Sequence, residues 1–197
     1  SDSSADLPKV GDWVVVTVFP EEEKALIHQV LPRQTVFARG AAGRKTEQQV
    51  LSANIDTIFI VQSLDSDFSL NRLERYLVMV REGGAAPAVV LNKIDLVPSP
   101  EPFIQQVKNT APGIPVFPIS ALNKDGLDAL HKANHPWKTV ALVGSSGVGK
   151  STIINSLVGE EIQEVQDVRE SDSRGKHTTT RRELIILPSG GLLIDTP

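Results

Sequence analysis

The residues best suited to chemistry lie between Val140 and Ser156. There Gly144, Ser145, Ser146, Gly147, Val148, Gly149, Lys150 and Ser151 fit the pattern G-x-x-x-x-G-K-[ST]. The glycines let a backbone wrap a phosphate with successive N–H groups turned inward. A helix starting at Lys150 would add the partial positive charge of its N-terminus. Lys150 is then placed to reach the β- and γ-phosphates, the Ser151 hydroxyl to bind Mg²⁺, and Thr152 to join the phosphate cradle. The pattern carries this meaning only between a strand and a helix. Val140–Val143 is an apolar run of strand type. Ile153, Ile154, Leu157 and Val158 are spaced as one helix face, and Gly159 suits the helix end.

Three further strings follow apolar strands. Asn92-Lys93-Ile94-Asp95 comes after Ala88–Leu91. An aspartate beyond the carboxyl end of a strand in an open α/β sheet can accept from the N1–H and the exocyclic amine of guanine. Adenine would leave that carboxylate unpaired. The Lys93 stem can lie over the base, and Asn92 can tie this loop to the phosphate loop. Taken alone, Asn and Asp after a strand are ordinary turn formers. Ser120-Ala121-Leu122 follows Val116–Ile119 and permits a close backbone approach, with the Ala121 N–H directed at guanine O6; by itself it is a loop leading into a helix. Asp195-Thr196-Pro197 follows Leu192–Ile194, where the aspartate suits a Mg²⁺-bound water or a simple turn. The polar stretch between Gly159 and Glu183 reads as a functional loop. Its Thr178–Thr180 hydroxyls, Thr180 above all, suit the Mg²⁺ shell and the γ-phosphate, or the start of a strand. His177 is a candidate to orient the attacking water or a solvated loop histidine.

Alternating strands and helices position these strings. Thr57–Val61 is a buried strand, Leu70–Gly83 a helix, Pro87–Leu91 a strand, Pro102–Thr110 a helix, Val116–Ile119 a strand and Gly126–Lys132 a short helix. The phosphate loop with its strand and helix follows, then Glu183–Leu187 and Leu192–Ile194 as strands. Such alternation predicts an α/β domain, a mostly parallel sheet with helices on both faces. Residues 1–50 read differently. Trp13–Val18, Ala25–Leu31 and Thr35–Ala38 are short strand candidates without helical period, which predicts a small partial OB-like β-barrel. The expected division is 1–50 and 51–197. Arg33, Arg39, Arg44 and Lys45 cluster in the first part, either as a solvated loop edge or as a phosphate-contacting surface.

Composition narrows the class. The 197 residues carry a formal net charge of −4, which argues against a basic footprint over the whole chain, so any RNA contact needs a local patch. No cysteine is present, so neither disulfides nor thiolate metal sites form within the chain. No apolar run reaches membrane-spanning length, and the first residues lack the features of a signal peptide. A cytoplasmic protein without a membrane partner is expected.

Together the strings look like a GTPase in an altered order. Asn92–Asp95 and Ser120–Leu122 precede the phosphate loop, and Thr178–Thr180 and Asp195 follow it, which is a circular permutation. A permuted GTPase behind a β-rich part resembles the small-ribosomal-subunit-dependent GTPases of bacteria, the RsgA or YjeQ family. The resemblance rests also on Val10–Trp13, Ala42–Thr46, Leu73–Leu77 and Gly175–Thr180. It implies GTP and GDP as ligands, Mg²⁺, GTP hydrolysis stimulated by the 30S particle, contact with 16S rRNA through the OB-like part, and action late in small-subunit assembly. Slow intrinsic turnover is expected because no arginine finger or water-orienting glutamine can be assigned. It also implies a C-terminal zinc domain, for which this chain has no ligands, so the chain is expected to be part of a longer protein. A monomer is expected. Two other functions remain open on residues alone: a nucleotide-gated RNA-binding module with little intrinsic hydrolysis, and a P-loop kinase acting on a small molecule, which leaves Asn92–Asp95 without a role.

Overall fold

The computed structural model describes residues 7–40, 48–159 and 183–196. Its centre is a six-stranded sheet in the order β7-β6-β5-β8-β10-β9. The strands are β5 (Thr57–Ser63), β6 (Ala86–Asn92), β7 (Val116–Pro118), β8 (Thr139–Val143), β9 (Glu183–Ile186) and β10 (Leu192–Asp195). All neighbours are parallel except the edge pair β9–β10. The runs expected at Thr57–Val61, Pro87–Leu91, Val140–Val143 and Leu192–Ile194 are the interior strands, because a strand covered on both faces has no polar side to show, and those expected at Val116–Ile119 and Glu183–Leu187 are the two edges.

Among the described residues four α-helices cover the sheet: α1 (Leu70–Glu82), α2 (Glu101–Thr110), α3 (Leu127–Ala133) and α4 (Lys150–Val158). Alternate residues of β5 serve opposite faces. Ile58 and Ile60 join Leu73, Leu77 and Val80 of α1 and Val107 of α2 in one core. Phe59 and Val61 join Leu127 and Leu130 of α3 and Ile153, Ile154 and Leu157 of α4 in the other. Phe117 closes edge-on over Phe59, with ring centroids 6.0 Å apart. The Ser69 side chain accepts from the Arg72 N–H and caps α1.

The β-rich part consists of two antiparallel ribbons, β1 (Val14–Phe19) with β2 (Lys24–Val30), and β3 (Val36–Gly40) with β4 (Gln48–Ala53). They fit the expected OB-like part, but among the described residues they form two separate two-stranded sheets and not one closed barrel. β4 was not foreseen, and it runs across the boundary expected at residue 50. The second ribbon is seated on the sheet domain. Phe37 is buried in the α1-side core, and the Val36 N–H donates to the Gly83 carbonyl at the end of α1 (2.9 Å). In the first ribbon Val15, Val16, Val18, Phe19, Leu26 and Ile27 are all exposed. Among the described residues no helix is long and apolar enough to cross a membrane.

Candidate functional site

Register brings the predicted strings to one edge of the sheet. β5 and β6 pair from Thr57↔Ala86 to Ser63↔Asn92, and β5 pairs with β8 up to Ile60↔Val143. β10 pairs with β8 up to Asp195↔Leu142. The carboxyl ends of these strands therefore emerge side by side, where ligands of open α/β sheets sit.

The loop from Gly144 to Gly149 leaves β8 and opens α4. Its glycines are needed for close approach. A Cβ at Gly144 would stand 2.6 Å from the Val61 carbonyl oxygen. One at Gly149, where φ is +94°, would stand 2.2 Å from the Asn92 amide nitrogen. Val148 is buried in the α4-side core and pins the loop, while Ser146 and Gly147 are exposed. Lys150, Ser151 and Thr152 form the first turn of α4. The Lys150 ammonium donates to the carbonyls of Gly144 (2.8 Å) and Ser145 (2.9 Å). Burial pushes it below the usual lysine range, and the charge of Asp195 opposes that shift. Asp195 itself is buried at 2% exposure, and the hydroxyl of the next residue, Thr196, donates to the Leu142 carbonyl (2.5 Å).

Asn92 is the hub. Its amide nitrogen donates to the Val148 carbonyl (2.8 Å), 56 residues away, and its Oδ1 accepts the Ala121 N–H (3.0 Å). Three segments distant in sequence are thus joined through one buried side chain. Asn92 ties its loop to the phosphate loop, as the residue types suggested. The Ala121 N–H, expected at guanine O6, is engaged by Asn92 instead. Ser120 is buried, and its Oγ accepts the Asn123 N–H (3.1 Å); Leu122 is 78% exposed. Lys93 has a left-handed backbone (φ +65°), and its ammonium meets Asp65 Oδ2 at 2.8 Å. Asp95 lies in a short 3-10 turn, Ile94–Leu96, and is exposed. Thr180 and His177 lie outside the described residues.

Two partners escaped the sequence reading. Asp65 meets Lys93 across 28 residues of chain, and its only sequence signal is an acidic turn after a buried strand. Arg33 does not stand in a free basic cluster. Its guanidinium donates twice to Asp12, at 2.8 Å each, and the Asp12 side chain is 1% exposed. Arg39 is exposed, and Arg44 and Lys45 lie outside the described residues. Among the described residues no group of three or more His, Cys, Asp or Glu side chains could hold a metal ion.

A phosphate loop beside an N-K-x-D loop, on a mostly parallel sheet and in this chain order, defines the class of circularly permuted P-loop GTPase folds. The family model described as RsgA GTPase matches residues 30–197, and the chain belongs to that family. It is 50% identical over 190 residues to the small ribosomal subunit biogenesis GTPase RsgA of Methanosarcina acetivorans, covering 96% of this chain and 52% of that protein. The protein of the same name from Opitutus terrae is 48% identical over 201 residues, covering 98% and 55%. Among solved structures, YjeQ from Thermotoga maritima superposes with a TM-score of 0.70 at 24% identity, covering 97% of this chain and 61% of that one. YloQ, titled a circularly permuted GTPase, does so with a TM-score of 0.65 at 26% identity, covering 97% and 57%. The chain spans about half the length of the curated relatives it matches.

Proposed function

We propose that this chain binds a guanine nucleotide at the sheet edge and hydrolyses GTP to GDP and phosphate, as part of a factor for maturation of the small ribosomal subunit. The observation that carries this reading is the Asn92 bridge from the Val148 carbonyl to the Ala121 N–H, which makes one site of the phosphate loop and the two candidate base-reading loops. The names of the relatives support the ribosomal role. In this reading the exposed Asp95 carboxylate accepts from guanine N1–H and the 2-amine, and the Lys93 stem covers the ring. The amides of residues 144–149 and the Lys150 ammonium hold the phosphates and stabilise charge on them in the transition state. Water attacks the γ-phosphorus, the bond to the β–γ bridging oxygen breaks, and GDP leaves.

The donor set fits Mg²⁺. Asp195 and Ser151 offer hard oxygens, and Asp195 lies near enough to Lys150 for its charge to be felt there. Bound there with Thr180, the ion would neutralise charge on the β- and γ-oxygens. His177 is proposed to orient the water. The β-rich part, to about residue 50, is proposed to touch 16S rRNA, with the nucleotide domain from residue 51 acting as the switch. A monomer working in the cytoplasm completes the proposal. The test is phosphate release from GTP and from ATP, with and without purified 30S particles. GTP-selective release that the particles accelerate is expected. Equal use of ATP, or phosphate passed to an acceptor other than water, would overturn the reading.

A further inference from the structure

We propose that Asp65 is a positioning residue for nucleotide binding: it fixes the Lys93 ammonium and thereby lays the lysine stem along the base-binding loop. This rests on the guanine-site reading above and names a residue that reading does not use. The loops after β5 and β6 leave the sheet together, since Ser63 is in register with Asn92 and the Leu64 N–H donates to the Asn92 carbonyl at 2.9 Å. Asp65 and Lys93 therefore face each other just beyond the last paired residues.

The Asp65 carboxylate is held at both oxygens. Oδ1 accepts the Ser63 hydroxyl (2.8 Å) and the Asp67 N–H (2.9 Å), which leaves Oδ2 aimed at Lys93 Nζ (2.8 Å). Burial alone would raise its pKa. The Lys93 ammonium, the Asp67 N–H and the Ser63 hydroxyl outweigh burial and hold the carboxyl below its ordinary range. The neighbouring acid is otherwise engaged, because Asp67 Oδ2 accepts from the Arg72 guanidinium (2.7 Å). An ordinary surface ion pair joins two mobile side chains and constrains neither. Here one partner is short and tied down, and the two side chains are only 26% and 24% exposed. The lysine also starts from a left-handed backbone, a conformation that costs energy and gathers at functional sites. The geometry sets where the four methylenes lie, and those methylenes are the part of Lys93 that can cover a base.

The experiment is a double-mutant cycle on the full chain, reading fluorescent GDP and GTP affinities for the wild type, Asp65→Asn, Lys93→Met and the double variant. Asparagine keeps an acceptor for Ser63 and Asp67, and methionine keeps most of the stem without the ammonium. Each single change is expected to weaken GDP and GTP equally, by about tenfold, the low end for a charge-assisted contact. The double variant should lose no more than either single one. Wild-type affinity in Asp65→Asn would overturn the proposal, as would fully multiplying losses or a loss confined to GTP. If Asp65→Asn does not fold by circular dichroism, Lys93→Met decides alone, and unchanged affinity there overturns the proposal. A wild-type chain indifferent to guanine nucleotides would instead refute the underlying site reading, and this inference with it.

Discussion

Replacing Asn92 by alanine removes the bridge on which the site is built. The side chain is 3% exposed and satisfies two main-chain groups from other segments, the Val148 carbonyl at 2.8 Å and the Ala121 N–H at 3.0 Å. Alanine leaves both without their partner, and each orphaned buried polar group costs about 1–3 kcal/mol. Local relaxation recovers part of this, so a net loss of about 3 kcal/mol is expected, a large share of the ~5–15 kcal/mol that holds a domain together. With a urea slope of about 2 kcal/mol per molar, the unfolding midpoint should fall by about 1.5 M. Asn92→Asp is the informative companion. It keeps the acceptor for Ala121 but sets a carboxylate oxygen against the Val148 carbonyl, so it should be at least as damaging despite its near-identical shape. The assay is urea unfolding followed by circular dichroism, with guanine nucleotide affinity measured on the folded fraction. A midpoint shift below about 0.3 M for Asn92→Ala, with nucleotide affinity intact, would refute the reasoning, because it would mean that the three segments hold together without their shared side chain.

Other expectations follow from the same geometry. Gly149→Ala adds a Cβ 2.2 Å from the Asn92 amide nitrogen at a backbone φ of +94°, so it should lower the urea midpoint and weaken nucleotide binding together, which urea unfolding and titration calorimetry on the variant read in turn. Lys150→Ala should weaken GTP binding by about a hundredfold or more, the loss of charge-assisted contacts worth ~3 kcal/mol; unchanged affinity by titration calorimetry would contradict its role. Arg33→Ala strips the partner from a carboxylate that is almost fully buried and should cost about 3 kcal/mol in urea unfolding. Asp12 gives the matching pH effect. Burial raises its pKa, but the hydrogen bond and charge of Arg33 and the Lys9 N–H more than offset this, so the folded value lies below the unfolded one. The native state then binds fewer protons. The stabilisation is complete above the unfolded pKa of about 3.9 and is lost as pH falls through the folded value. Asp12→Asn should flatten that acid limb of the stability profile.

The elements around the site were legible because their physics is local. Val140–Val143 and Thr57–Val61 are continuous apolar runs, as strands covered on both faces must be, and Leu70, Leu73, Leu77 and Val80 mark a single helix face. The phosphate loop carries its own geometry in its glycines. The β4 strand was not legible. Gln-Gln-Val-Leu-Ser-Ala has little strand character, and it pairs because β3 lies opposite and because Val50 and Ala53 are buried there. The order of strands in the sheet and the ion pairs Asp65–Lys93 and Asp12–Arg33 depend on where distant segments meet, and no residue pattern within either segment encodes that. Arg33 shows the consequence. In sequence it belongs to a basic cluster, and in space it belongs to Asp12.

The most direct measurement is the nucleotide preference of the chain and of Asp95→Asn. Titration calorimetry with GDP, ADP and xanthosine diphosphate should show the wild type binding GDP far more tightly than the other two. The variant should lose GDP affinity and gain affinity for the xanthosine nucleotide, whose 2-oxo group accepts a hydrogen bond from the new amide. A wild type that binds ADP as well as GDP, or a variant that keeps its guanine preference, would contradict the claim that the phosphate loop and the Asn92–Asp95 loop share one guanine nucleotide.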